Sequence, residues 1–227
     1  MSLTMRRLLP VVAAATIALT GSALAASPAM AANPETPVRD LAISDLTVLG
    51  GTIRDASGTV VKTDACGKPG TVVEKSTLLD GSTAYYTHGD AIVTEDGKSL
   101  TDMTCTYSLK VTAPERQAFN LTNLWMAGQS VLEAGAKGQA SISVSAPSGG
   151  TELTGTIEGP TDFGTNWNLT GLPSDKALIG NCGATEELVI TQKLHLDEGT
   201  TFSYLSNVAD PGWNSVRAHL SSIPCNN

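Results

Sequence analysis

The sequence predicts an all-β fold: an antiparallel β-sandwich, jelly-roll or immunoglobulin-like, stapled by two disulfides. Three observations carry this. Apolar and polar residues alternate with a period of two in several stretches, as strands with one buried and one wet face require. Turn signals such as Asp80-Gly81, Asp96-Gly97 and Ser148-Gly-Gly150 separate those stretches. No stretch carries a 3.6-residue apolar stripe of the kind a packed helix needs. About ten short strands punctuated in this way make a sandwich or a barrel.

In chain order, Arg6 and Arg7 precede an apolar run, Leu8 to Leu19, that ends in small residues. A basic start, a short apolar core and an A-x-A exit predict a secretory signal peptide over residues 1–31. The core is shorter than the ~20 residues of a membrane span, and no later stretch reaches that length. Cleavage after Ala25 is the alternative to Ala31; the latter leaves Asn33-Pro-Glu-Thr-Pro in a short extended leader, residues 32–40, ahead of one domain over 41–227. Losing two arginines and no acid makes a formal net charge of −8 more negative. That balance argues against nucleic acid and anionic membrane as partners.

Leu41, Ile43, Leu46 and Val48 mark a first strand broken near Ser44-Asp45, with Gly50-Gly51 as a turn. Cys66-Gly-Lys-Pro-Gly70 fixes a tight loop before a strand over 71–79, and short strands follow over 83–87 and 91–94. Cys105, Tyr107, Leu109 and Val111 alternate with Thr106, Ser108, Lys110 and Thr112, and a second extended segment begins at Ala118. Residues 128–135 read as a loop or a turn of helix. Ala140, Ile142 and Val144 share one strand face, joined through Ser148-Gly-Gly150 to a strand over 151–158. Gly159-Pro160 opens a loop running to Trp167. Leu188, Ile190, Leu194 and Leu196 point inward from the best late strand, and segments over 201–205 and 215–220 close the set.

Cys66, Cys105, Cys182 and Cys225 are all in the expected mature part, and an even count in a secreted chain reads as two disulfides. Three connectivities are open; the favoured one, Cys66–Cys105 with Cys182–Cys225, joins sequential pairs and closes loops of similar size. Zinc would need C-x-x-C-like pairs, and the gaps here are far longer.

Cys66-x3-Gly70, Asp80-Gly81, the Cys105-x-Tyr-x-Leu-x-Val strand, Leu132-Glu-Ala-Gly135, Gly159-Pro160, Cys182 and Val216-x-x-His219-Leu220…Cys225 occur together in this order. Their order and spacing resemble a secreted four-cysteine family known as domain of unknown function 4360, over nearly the whole chain from about Leu41 onward. The resemblance implies a β-rich fold and the same sequential pairing of cysteines, and it brings no established activity. The chain departs from the family at Trp125-Met126-Ala127, where a Tyr-Arg-Gly-like run is expected. A shared surface that depended on that arginine would be lost here.

No nucleophile elbow, H-E-x-x-H, Walker loop or G-x-G-x-x-G is present. His195 and His219 fall on outward strand faces and would form a metal or catalytic pair only if their strands were neighbours; solvated surface histidines are the plainer reading. His88 belongs to a loop. Asp90, Glu95, Asp96, Asp102, Glu158 and Asp162 offer carboxylates, but turn and solvation duty is their default, and no D-x-D-x-D cluster for calcium exists. Trp167 and Trp213 lie near loops and are the candidate ligand-binding residues, because exposed indoles stack on sugar rings. Core packing competes for both, since aromatics are only 4% of the chain. Asn120-Leu-Thr122 and Asn168-Leu-Thr170 are glycosylation sequons.

The expectation is a secreted, non-enzymatic binding protein without metal or cofactor, acting at the cell surface or in the medium on a glycan. A protease inhibitor or other protein-binding protein using Lys68 in its bridged loop is the alternative. A hydrolase with a dispersed site is a third, which a cleft with facing carboxylates or paired histidines would favour.

Overall fold

The computed structural model describes residues 41–77, 83–85, 87, 91–95, 98–162, 165–171, 177–197, 202–207 and 216–225. The expected signal peptide and leader, the Asp80-Gly81 and Asp96-Gly97 turns, His88, Asp90 and Trp213 lie outside these residues.

The described residues form strands β1 (Ala42–Ile43), β2 (Leu46–Asp55), β3 (Val60–Thr63), β4 (Val72–Val73), β5 (Lys75–Thr77), β6 (Thr83–Tyr85), β7 (Ala91–Glu95) and β8 (Lys98–Thr112). There follow β9 (Gln117–Val131), β10 (Lys137–Ala146), β11 (Gly149–Glu158), β12 (Thr165–Gly171), β13 (Leu178–Ile179), β14 (Thr185–Leu196), β15 (Ser203–Ser206) and β16 (Val216–Pro224). Every pairing between them is antiparallel.

Pairing is continuous, yet the strands fall into two layers. In the first, β11, β10, β14 and β8 lie side by side, and β2 follows β8 with β3 and β4 on its far edge. In the second, β9 has β12 and β13 on one side and β15 and β16 end to end on the other. Beyond these lie β7 and β6, and β5 forms the edge. One corner joins the layers: Lys98 and Ser99 of β8 pair with β7, and the same strand pairs with β2 and β14 further on.

Alternation builds the core. Met103, Cys105, Tyr107, Leu109 and Val111 of β8, Ala140, Ile142 and Val144 of β10, and Leu188, Ile190, Leu194 and Leu196 of β14 are all buried. Facing them from the second layer are Phe119, Leu121, Leu124, Met126, Leu205 and Val216, in one continuous cluster. Burying each such side chain stabilises by about 1.5–3 kcal/mol, before entropy is charged against it. A polar pair crosses between the layers: Asn207 Nδ2 donates to Gln192 Oε1 at 3.0 Å, both residues fully buried.

Cys66–Cys105 and Cys182–Cys225 are the disulfides. The first is buried in the core; in the second, Cys182 is exposed. Gly50-Gly51 is not a turn but lies inside β2, at a bulge. The reason is local: a Cβ at Gly51 would fall on Cys66 Sγ, so the strand passes the disulfide only as glycine. Residues 128–131 belong to β9, not to a loop or a turn of helix. There Gly128 lies against the Ser206 carbonyl and the Trp167 ring, with no room for a Cβ.

Candidate functional site

Alternation that buries one face of the first layer exposes a polar face on the other. Register then lines up side chains from strands far apart in sequence. Arg54 of β2, Asp102 of β8, His195 of β14 and Gln139 of β10 form one cross-strand row. Thr52, Thr104, Lys193, Ser141 and Thr154 form the next. Asp102, Gln139, Ser141, Thr154, Lys193 and His195, with Glu152, line an open cleft of about 270 Å³.

His195 is its most tightly held side chain. Nδ1 lies 2.8 Å from Asp102 Oδ1 and Nε2 lies 3.3 Å from Asp197 Oδ1. Thr101 Oγ1 donates to the other Asp102 oxygen at 2.8 Å. Each imidazole nitrogen therefore faces a carboxylate oxygen. Glu152 sits three strands from Asp102 and four residues further along, roughly 20 Å away by ordinary strand dimensions. Glycosidase carboxylates stand roughly 5–10 Å apart. The cleft offers hydrogen bonds and charge of both signs. Among the described residues no three His, Cys, Asp or Glu side chains come together to hold a metal ion.

The other sequence candidates separate. His195 is in the first layer and His219, on β16, in the second, so they do not pair. Trp167 is not in a loop: it is on β12, points inward and is 7% exposed. Its Nε1 donates to the Gln129 carbonyl at 3.2 Å. An indole so placed packs the core and shows no open ring face to a sugar. Lys68 is exposed, but its carbonyl accepts from Thr71 N at 3.1 Å, which makes it the start of a turn rather than part of an extended loop. Glu158 lies 3.8 Å from Lys137 on the neighbouring strand, and Glu95 pairs in register with Lys98.

Sequence reasoning missed two features. Glu186 is buried at the start of β14, where its carboxylate accepts from the backbone N–H of Ser148 at 3.1 Å and from that of Asn181. Burial pushes this carboxyl up, but the hydrogen bonds from Asn181 and Ser148 outweigh it and hold it below the usual carboxylate range. Extending the Leu188, Ile190 alternation back by one step would have placed it inward. The second is Trp125, outward on β9, with the Arg217 guanidinium 4.5 Å from its ring centroid. Only cross-strand register could reveal that pair. Position 126, where the family resemblance leads one to expect arginine, faces the core as Met126.

The family model of domain of unknown function 4360 matches residues 68–225. The chain belongs to this family. The match starts later than the sequence reading expected, so β1 to β3 and Cys66 precede it. No curated protein matches the chain. Among solved structures, TmCBM61, a carbohydrate-binding module in complex with β-1,4-galactotriose, aligns at 12% identity over 83% of this chain and 89% of its own. Its TM-score of 0.26 supports neither a shared fold nor a shared ligand.

Proposed function

We propose that this protein is a secreted, non-enzymatic binding module that takes a polysaccharide or envelope glycan at the cell surface or in the medium. The observation that carries the reading is the cleft on the first layer. Its hydroxyl, amide, cationic and anionic side chains project from rigid paired strands, as recognition of a hydroxyl-rich ligand requires. The two disulfides suit an extracellular protein, and the basic–apolar–small N-terminal pattern supplies the route.

The test is a binding screen of residues 32–227 on a glycan array, cell walls, chitin and cellulose. It is repeated with Gln139→Ala plus Lys193→Ala and separately with Trp213→Ala. Losing both cleft side chains is expected to weaken binding by roughly tenfold, two hydrogen bonds' worth. Wild type left in the supernatant on every surface overturns the reading. Loss in Trp213→Ala with the cleft variant unaffected moves the site to that indole. Trp167→Ala is unsuited to this purpose, because it would remove a core side chain.

A further inference from the structure

The second layer has an outer face unlike the rest of the molecule. Strands β9, β12, β13, β15 and β16 carry none of the chain's 22 acidic residues; their basic side chains are Arg217 and His219. Both share a face with Trp125. Leu124 and Met126 flank Trp125 and are fully buried, as Val216 and Ala218 are beside Arg217, so the residues between them point outward. Register sets Thr170, Trp125 and Arg217 in one row across three strands, and Asn123 opposite His219.

Trp125 acts on Arg217 as a plate. A guanidinium 4.5 Å from the ring centroid is held there by the ring quadrupole, so its planar fork is pre-oriented rather than waving in solvent. Arg217 Nε is buried without an acceptor, and among the described residues no salt bridge reaches this guanidinium. A positioned fork on strands that carry no acid, in an acidic protein, matches a planar anion such as a carboxylate. Asn123 and Thr170, exposed beside it, supply donors and acceptors for neighbouring hydroxyls.

We propose that the Trp125–Arg217–His219 face is a binding site for a carboxylated polysaccharide, separate from the cleft on the first layer. Arg217 takes the carboxylate, Trp125 is its positioning residue, and His219 adds a second donor one step along the same strand. This site does not rest on the cleft reading, and each can fail without the other.

Affinity electrophoresis of the mature domain through gels containing alginate or polygalacturonate, with dextran as the neutral comparator, tests it. Wild type is expected to be retarded by the carboxylated polymers and not by dextran. Arg217→Gln should weaken that retardation by roughly tenfold or more, the share of one charge-assisted bidentate contact. Arg217→Lys should not restore it, because an ammonium lacks the fork. Trp125→Leu should weaken it several-fold while thermal unfolding stays near wild type, which a purely structural indole would not allow. Lys68→Gln, which removes one exposed positive charge outside both sites, should leave it unchanged. Three outcomes overturn the proposal: no retardation by either carboxylated polymer, equal retardation of wild type and Arg217→Gln, or binding of anionic lipid vesicles in place of the polysaccharides.

Discussion

The two layers of this sandwich use opposite means to the same end. The first is regular: β8, β10 and β14 alternate residue by residue, and charges of both signs are interleaved on the outside. The second is irregular: β9 is flanked on one side by two strands end to end, its ladder with β16 slips at His219/Leu220, and consecutive residues 126–128 are all buried. Regular alternation leaves a face whose composition is free to vary. In the second layer, direct register across β9 and β16 sets one tryptophan opposite one arginine, ahead of the slip.

The disulfides give the largest test of that contrast. Loop closure across sequence separations of 39 and 43 gives each about 4 kcal/mol in the chain-entropy treatment. Replacing Cys66 and Cys105 together by alanine should cost more than this, because fully buried sulfur is lost as well. Replacing Cys182 and Cys225 should cost no more than it. Denaturant unfolding of both variants measures the difference, and equal losses would remove the distinction between a core staple and a peripheral one.

Glycines sharpen it next. Gly128→Ala drives a Cβ into a backbone carbonyl and should cost roughly 3 kcal/mol or prevent folding. Gly138→Ala, in the first layer, meets only the end of the Leu205 side chain at 2.9 Å and should cost about 1 kcal/mol. Thermal unfolding ranks them, and the reverse order would show that the second layer is the more accommodating.

Glu186 provides the effect with a pH signature. Its folded pKa lies below the ordinary 4.5, so its contribution is fully present above that value and is lost as pH falls toward the depressed folded value. Glu186→Gln should therefore cost about 2 kcal/mol near neutral pH, with the deficit shrinking on acidification below 4.5. A deficit independent of pH would mean that shape, not charge, holds the Ser148 and Asn181 turns.

How much was visible in the sequence divides along the same line. Alternation placed the inward faces of β8, β10 and β14 correctly, because a two-residue period is written directly in Cys105-x-Tyr-x-Leu-x-Val. The break at Ser44-Asp45 was visible for the same reason. Gly50-Gly51 and Gly128 misled, since a glycine needed for close approach looks like a glycine needed for a turn. Trp167 misled because asparagines on both sides suggest a loop, whereas on β12 they are the exposed neighbours of an inward ring. The cleft and the Trp125–Arg217 pair both depend on which strands are neighbours. That order is set by long-range packing and leaves no local trace.

The buried amide pair, Asn207 with Gln192, has a consequence for how the layers are held against each other. Apolar contact is indifferent to a small slide of one sheet over the other, because area buried barely changes. A hydrogen bond between two fixed side chains is not indifferent. At one offset it is made, and at any other an amide is stranded in the core. The pair therefore works as a detent: it selects one alignment of two otherwise slippery surfaces and keeps the outer faces in a fixed relation, whatever their side chains become.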